Sequence, residues 1–266
     1  QEIELVSHIQ QVLLPQSIPE IEGFEIATIY ESALEVSGDY FDFFWIDPQH
    51  LGVVVADVSG KGVSASLYMS MLRTALRSIA PKYKNPKQVL VKTHELLSQD
   101  LKKGQFVTVF YLILNISDKK ISYASAGHNP LILYSPQESK SYSLNPKGIP
   151  LGLALPEGIS FENKLDSEVL FLVSGDWLFI YTDGITEAMN SQKQIFGKER
   201  LMEFIQQNIH LSAQDFTKKF LQILTDFTEG IPQSDDITLV VIKDKGIGQK
   251  EFSTSSRTEP QRKEEL

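Results

Sequence analysis

The chain has 266 residues, of which 42% are hydrophobic and 22% charged, a composition typical of a globular protein with one large core or two modest cores. Because it contains no cysteine, a thiolate nucleophile, a zinc–thiolate site, an iron–sulfur cluster and a disulfide framework are excluded. The formal net charge of -9 argues against binding to nucleic acid, which normally requires a basic patch. No apolar run approaches the roughly 18–20 residues of a membrane helix, so we expect no membrane contact.

The first segment is predicted to be an amphipathic helix that ends at Pro15. Its apolar residues form one stripe at helical spacing: Leu5, Ile9, Val12 and Leu13. Two hypotheses explain this stripe: it pairs with a second copy of the chain to form a homodimer, or it docks on its own domain. Because the sequence begins with Gln1 and not with Met, we expect a fragment of a longer protein in which residues 1–15 are a linker helix.

The segments that follow predict an α+β protein. Strands are expected at Phe24–Ala33, Val36–Ile46, Leu51–Val58, Phe106–Ile116, Lys120–Ser125, Leu131–Ser135, Val169–Val173, Leu178–Tyr181 and Ile237–Ile242, and helices at Val63–Ile79, Pro86–Leu101, Lys198–Asn208 and Ala213–Thr228. Since the βαβ alternation of a doubly wound sheet is missing, this order favours an antiparallel sheet or sandwich flanked by helices. We expect the domain to span residues 16–244 and the polar residues 245–266 to form a disordered tail.

A turn at residues 47–50 joins two of these strands and brings two carboxylates together. If the strands pair about a centre near residues 48–49, Asp39 lies opposite Val58 and Asp57 lies opposite Tyr40. The two carboxylates then meet at the same end of one hairpin, where a cation would relieve their repulsion. The alternative is that each aspartate only caps a strand or begins a turn.

Further acidic residues lie at the ends of apolar strands. Asp183 follows the strand that ends at Tyr181, with Gly184 giving the chain room to turn, and the pair Asp235–Asp236 precedes the last strand. All-carboxylate clusters suit Mg²⁺ and Mn²⁺, whereas zinc and copper are poorly served without cysteine and with few histidines. Two such ions could activate water and clamp a phosphoryl group, so the pattern indicates a metal-dependent phosphohydrolase.

Two other residues leave alternatives open. Lys61, in a turn that lacks the full spacing of a phosphate-binding loop, could steer a phosphate or be an ordinary exposed lysine. His128, in a turn with glycine, asparagine and proline, could be a general acid or a structural hydrogen-bonding residue.

Five segments, taken in order, resemble one known family, the bacterial metal-dependent serine/threonine phosphatases of the stage II sporulation protein E type, within the PPM superfamily. These segments are Val36-Ser37-Gly38-Asp39-Tyr40-Phe41-Asp42, Ala56-Asp57-Val58-Ser59-Gly60-Lys61-Gly62, Ala126-Gly127-His128-Asn129-Pro130, Thr182-Asp183-Gly184-Ile185-Thr186-Glu187 and Asp235-Asp236-Ile237-Thr238-Leu239-Val240-Val241. The similarity covers roughly residues 1–243, since Ile9–Pro15 also matches the helix that precedes such domains. The resemblance implies a central antiparallel β-sandwich with helices on both outer faces.

The resemblance also implies a metal site with two Mn²⁺ or Mg²⁺ ions. Asp57 would bridge both ions with help from the Val58 carbonyl, Asp183 and Asp235 would hold one ion, and Asp39 would serve the other directly or through water. These four aspartates are the implied catalytic residues. Supporting roles are expected for Gly38, Gly60, Lys61, Gly184 and Asp236.

The implied activity is hydrolysis of phosphoserine or phosphothreonine by metal-activated water, on a regulatory protein such as a STAS-type anti-sigma-factor antagonist. The preceding helix would act as a switch, and the protein would be cytoplasmic, as the output domain of a longer sensor. Two departures, Ser37 where glycine is common and Lys61 where many members carry histidine, remove no metal ligand. The alternatives are a small-molecule phosphohydrolase with the same acids, and a catalytically silent binding module that recognises an antagonist protein.

Overall fold

The computed structural model describes residues 2–246, which contain ten strands in two five-stranded antiparallel sheets. In chain order the strands are Phe24–Glu31 (β1), Asp39–Asp47 (β2), His50–Val58 (β3), Val107–Asn115 (β4), Lys120–Ala126 (β5), Leu131–Ser135 (β6), Lys140–Leu144 (β7), Ser167–Phe171 (β8), Trp177–Tyr181 (β9) and Ile237–Asp244 (β10). The first sheet has the order β1-β10-β9-β6-β7 and the second has the order β2-β3-β4-β5-β8. The predicted tail beyond residue 246 lies outside the described residues.

The α-helices of the described residues are Glu2–Leu13 (α1), Gly62–Ile79 (α2), Pro86–Leu97 (α3), Asp183–Thr186 (α4), Gly197–Asn208 (α5) and Ala213–Thr228 (α6). Two of them begin with a side-chain cap: Asn85 accepts backbone N–H groups at the start of α3, and Ser212 does so at the start of α6. Within residues 2–246, no helix combines the length and the apolar character needed to cross a membrane.

Three apolar layers hold these elements together. The inner faces of the two sheets pack on each other, α2 and α3 cover the outer face of the second sheet, and α5 and α6 cover the outer face of the first. Strand β3 contributes to two layers, because Val53 and Val55 face the other sheet whereas Val54 and Ala56 face the helices. This double burial explains its continuous apolar sequence, and it confirms the predicted α+β sandwich with helices on both faces.

The pairing of β2 with β3 differs from the predicted register. Asp39 lies directly opposite Asp57, and not opposite Val58 as expected. A β-bulge between Trp45 and Asp47 shifts the pairing by one residue along the rest of the hairpin. The correction brings the two carboxylates to directly opposed positions on neighbouring strands.

Some elements were missed or misplaced by the sequence pattern. The edge strand β7 and the short helix α4 were not predicted, and the predicted second helix ends at Leu97, four residues early. Strand β7 pairs only with β6, so its sequence, Lys-Ser-Tyr-Ser-Leu, lacks the apolar character of a central strand.

Helix α1 contacts the domain through a polar residue, because Gln10 is its one buried side chain. Both polar atoms of that side chain bind the backbone of Ser37: Nε2 donates to the carbonyl at 2.6 Å, and Oε1 accepts from the N–H at 2.9 Å. Most of the apolar stripe stays in solvent, with exposed fractions of 61% for Leu5, 51% for Ile9 and 59% for Val12. The hypothesis that this stripe docks on its own domain is therefore wrong for these three residues.

Candidate metal centre

One end of the sandwich collects carboxylates from both sheets. The second sheet contributes Asp39, the first residue of β2, and Asp57, the penultimate residue of β3. Asp39 is only 2% exposed. Val58, whose carbonyl was predicted to assist a metal ion, is buried beside them and donates its N–H to the carbonyl of Gly38.

The first sheet contributes its acids from the loops beside two neighbouring strands. Asp183 begins α4 directly after β9, and Asp235 and Asp236 directly precede β10. These loops touch at Gly184, where a Cβ atom would lie 1.9 Å from the carbonyl oxygen of Asp236. Glycine is required there because the two backbones approach too closely for any side chain.

Two threonine hydroxyls from the side of the first sheet bind Asp39 of the second sheet. Thr182 Oγ1 donates to Asp39 Oδ2 at 2.8 Å, and Thr238 Oγ1 donates to the same oxygen at 2.6 Å. The sequence pattern did not indicate either threonine, although each stands in a segment that carried the family resemblance. The partners are 143 and 199 residues apart in sequence, so only the docking of the sheets brings them together.

The clustering of like charges changes the acidity of its members. Burial, followed by the charges of Asp183 and Asp235, raises the pKa of Asp57 to about 7. Burial, followed by the charge of Asp57, raises the pKa of Asp39, and the two threonine hydroxyls oppose this rise. The pKa of Asp183 is raised by burial and then by Glu187 and Asp235. Ionised carboxylates at this end of the sandwich therefore repel one another.

Asp236 has a different role from its neighbour. Its Oδ2 accepts the N–H of Gly38 at 2.7 Å, and its Oδ1 accepts the N–H of Ala33 at 2.8 Å. Asp236 thus supports the loop that leads into Asp39, and the Gln10 side chain of α1 binds the same loop at Ser37. This geometry agrees with a supporting role for Gly38 and Asp236.

The turn after β3 holds Lys61 over the acidic loop of the first sheet. The flanking residues Gly60 and Gly62 both have positive φ angles, +95° and +70°, which favour glycine. The Lys61 Nζ atom lies 3.1 Å from Asp235 Oδ2 and also donates to the carbonyl of Ser234.

His128 is a structural residue in this arrangement. It is 5% exposed, and its Nδ1 lies 2.8 Å from Thr108 Oγ1, on the strand beside Asp57. Burial lowers the pKa of His128 to about 4, so the imidazole is neutral at pH 7. These contacts favour the structural hydrogen-bonding interpretation over that of a general acid.

The donor chemistry of the cluster fits a hard divalent cation. Each candidate ligand is a carboxylate or a backbone carbonyl, the oxygen donors that Mg²⁺ and Mn²⁺ prefer. As folded, residues 2–246 contain no group of three or more acidic or histidine side chains that could hold a metal ion. The described contacts instead engage Asp39 Oδ2 with two threonine hydroxyls and Asp235 with Lys61, so a cation at Asp235 would have to exchange with Lys61.

Solved structures with the same architecture identify the fold. The SiaA-PP2C domain of Pseudomonas aeruginosa aligns with a TM-score of 0.78 and 18% identity, over 91% of this chain and 95% of that one. The RsbU and RsbW domains of a Mycobacterium tuberculosis protein align with a TM-score of 0.74 and 25% identity, over 88% of this chain and 63% of that one. The sandwich is therefore the PP2C phosphatase fold.

Sequence comparison gives the family. The family model described as stage II sporulation protein E (SpoIIE) matches residues 47–245, and the chain belongs to this family. Phosphoserine phosphatase RsbU of Bacillus subtilis is 31% identical over 245 residues, which cover 92% of this chain and 70% of RsbU. Phosphoserine phosphatase RsbP of the same organism is 25% identical, over 91% of this chain and 57% of RsbP. The chain is thus a serine/threonine phosphatase domain, as the resemblance implied.

Proposed function

We propose that this domain hydrolyses phosphoserine or phosphothreonine on a regulatory protein with the help of divalent cations held by Asp39, Asp57, Asp183 and Asp235. The observation that carries the proposal is the collection of these acids from both sheets at one end of the sandwich, where burial and then the charges of neighbouring acids raise the pKa of Asp57 and Asp183. Such crowding of acids is typical of a functional site, because a fold gains nothing from unbalanced repulsion.

Two Mn²⁺ or Mg²⁺ ions would be held by these four aspartates, with the Val58 carbonyl assisting Asp57. Bound there, the cations would supply Lewis acidity to activate water and neutralise phosphoryl oxygens. The chain itself provides the orientation: Thr182 and Thr238 hold Asp39, and Gly184 allows the two acidic loops of the first sheet to approach closely.

The similarity to RsbU and RsbP supports a phosphorylated regulatory protein as substrate, of the STAS-type anti-sigma-factor antagonist class. Both relatives are named phosphoserine phosphatases. We place this activity in the cytoplasm, where such regulatory proteins act.

Hydrolysis of p-nitrophenyl phosphate and of a phosphoserine peptide, each in Mn²⁺, in Mg²⁺ and in EDTA, tests the proposal. We expect activity with metal, none in EDTA, and a loss of at least about 100-fold in Asp183→Asn, because preorganised charge stabilisation supplies most of the rate. Asp100→Asn, at an exposed carboxylate, is the matched control and should keep wild-type activity. Activity that survives EDTA or Asp183→Asn would contradict the proposal, and a folded protein with no activity in either metal would favour the silent binding module.

We also propose that α1 acts as a switch helix, because Gln10 binds the backbone beside Asp39 through two hydrogen bonds. Gln10→Ala removes both bonds, whereas Gln11→Ala, at an exposed neighbour, removes neither. We expect weaker Mn²⁺ binding in Gln10→Ala, measured by titration calorimetry, and wild-type binding in Gln11→Ala. Equal affinities in the two variants would contradict the switch.

The exposed stripe of α1 supports a homodimer as a further proposal. Single exposed apolar residues are ordinary, but Leu5, Ile9 and Val12 lie on one face of one helix. Light scattering over a wide concentration range should give a dimer mass that Ile9→Glu abolishes. A monomer mass for the wild type throughout that range would disprove the homodimer.

A further inference from the structure

Lys61 connects the two halves of the acidic centre. It lies at the start of α2, on the side of the second sheet, and its ammonium reaches the loop before β10 of the first sheet. There Nζ lies 3.1 Å from Asp235 Oδ2 and donates to the carbonyl of Ser234, two contacts to residues more than 170 positions away in sequence. Lys61 thereby bridges the two sheets at the point where the carboxylates meet.

The charge of Lys61 acts on more than its direct partner. Burial and then the like charges of nearby acids raise the pKa of Asp57, and the charge of Lys61 lowers it. The ammonium is therefore a counter-ion for the cluster as a whole. A divalent cation placed among the same carboxylates would make this positive charge redundant and would repel it.

The contact between Lys61 and Asp235 is weak enough to be broken. The Lys61 side chain is 48% exposed and that of Asp235 33% exposed, and exposed ion pairs contribute little to stability. The loop that carries Lys61 also has glycine on both sides of it. By contrast, the Lys119–Asp244 pair has exposures of 12% and 0%, and its lysine cannot leave without stranding a buried acid.

We propose that Lys61 is an internal counter-ion, which occupies Asp235 in the metal-free protein and is displaced when a divalent cation binds. Lys61 therefore lowers the affinity of the site for metal while it stabilises the metal-free fold. This inference rests on the proposed metal site, and it adds a regulatory role for a residue that is not itself a metal ligand. Metal binding would also release the ammonium beside the N-terminus of α2.

If Lys61 competes with the cation, its loss should strengthen metal binding and destabilise the metal-free protein. Lys61→Met keeps the length of the side chain but removes its charge, so Mn²⁺ has no competitor at Asp235. We expect Mn²⁺ to bind Lys61→Met about fivefold more tightly than wild type, as befits the loss of one exposed ion pair. In EDTA the same variant should melt about 2 °C lower than wild type, and saturating Mn²⁺ should remove the difference.

The experiment is titration calorimetry with Mn²⁺ alone, together with thermal melts in EDTA and in saturating Mn²⁺. Lys61→Arg retains the charge and should bind Mn²⁺ within twofold of wild type. Lys84→Met is the matched control, because Lys84 forms a comparable exposed pair with Asp47 at the other end of the β2–β3 hairpin. It should leave the Mn²⁺ affinity unchanged.

The outcomes separate this inference from the proposed function. Unchanged or weaker Mn²⁺ binding in Lys61→Met, while wild type binds Mn²⁺, overturns the role of Lys61 and leaves the metal site standing. Tighter binding in both Lys61→Met and Lys84→Met also overturns it, because the effect would then reflect net charge alone. A folded wild-type protein that binds no Mn²⁺ overturns the metal site and the role of Lys61 together.

Discussion

Asp39 and Asp42, three residues apart on β2, are both buried, but their hydrogen-bond partners differ in charge. Asp42 is fully buried on β2, and its carboxylate accepts both Nε and Nη2 of Arg77, at 2.7 and 2.8 Å, as well as the Tyr40 hydroxyl. Asp39, also on β2, accepts only neutral hydroxyls at its side chain in the described contacts and faces the carboxylate of Asp57. Burial therefore does not distinguish Asp42 from Asp39, which we propose as a metal ligand, but the charge of their partners does.

The same contrast holds along β10. Asp244, at the end of this strand, is fully buried and paired with Lys119 at 2.8 Å. The acids before the beginning of β10 face other acids, with Lys61 as an exposed counter-ion at Asp235. One end of the sandwich thus pairs its buried acid with a base of the same chain, whereas the acids at the other end face mostly one another.

Removing Asp42, the buried acid that is paired with an arginine, should have the largest effect on stability. Asp42→Asn leaves the Arg77 guanidinium without its carboxylate, and we expect the free energy of unfolding to fall by about 3 kcal/mol. Urea denaturation in EDTA measures this, with Asp100→Asn as the exposed control. A loss below about 1 kcal/mol would mean that the pair is not structural and would break the contrast with Asp39.

Removing Asp57, which faces other acids, should raise the free energy of unfolding of the metal-free protein. The pKa of Asp57 is raised from 3.8 to about 7, so between these values the unfolded chain loses this proton while the folded protein keeps it. The free energy of unfolding contributed by this group therefore falls as pH rises through that window, and the penalty is complete above pH 7. We expect Asp57→Asn to stabilise the metal-free protein by about 2 kcal/mol at pH 8 and to flatten its pH dependence between pH 5 and 8.

Melts of wild type and Asp57→Asn in EDTA, taken across that pH range, measure the effect. Asp57→Asn should at the same time abolish metal-dependent phosphatase activity. A variant that is less stable than wild type at pH 8 would show that Asp57 has a structural partner after all.

Asp39→Asn should have a smaller stabilising effect, of about 1 kcal/mol, because the Thr182 and Thr238 hydroxyls already compensate part of the burial of the carboxylate. The amide oxygen of asparagine can accept the same bonds. Denaturation of Asp39→Asn beside Asp42→Asn, both in EDTA, compares two identical chemical changes on one strand. If both substitutions changed the free energy of unfolding in the same direction, the contrast between Asp39 and Asp42 would be wrong.

Asp47→Asn, at the outer end of the hairpin, should have the smallest effect and the reverse pH dependence. Hydrogen bonds from Lys84 and then His50 lower the pKa of Asp47, so its contribution to stability is present at neutral pH and is lost as pH falls below 4. Because this carboxylate is partly exposed, salt should screen its contribution. Melts between pH 2 and 7 at low and high salt check this; a salt-independent effect would imply a buried contact.

The local sequence pattern was sufficient to predict the class of fold and to select the candidate acids. Apolar runs bounded by turns predicted nine of the strands and most of the helices, because side chains buried on one or both faces leave a periodic signature within a few residues. The acids at the strand ends, Asp39, Asp57, Asp183 and Asp235, could be selected for the same reason, since a carboxylate that interrupts an apolar run is conspicuous.

The partners of those acids were decided by the tertiary structure. The bulge near Ile46 changed the register by one residue and set Asp39 against Asp57, although the turn alone predicted otherwise. The threonine hydroxyls on Asp39, the Arg77 pair of Asp42 and the Lys61 contact to Asp235 join segments from 35 to 199 residues apart. Such contacts follow from how the sheets and helices dock, which short-range periodicity does not encode, and they determine which acids are paired with a base and which face other acids.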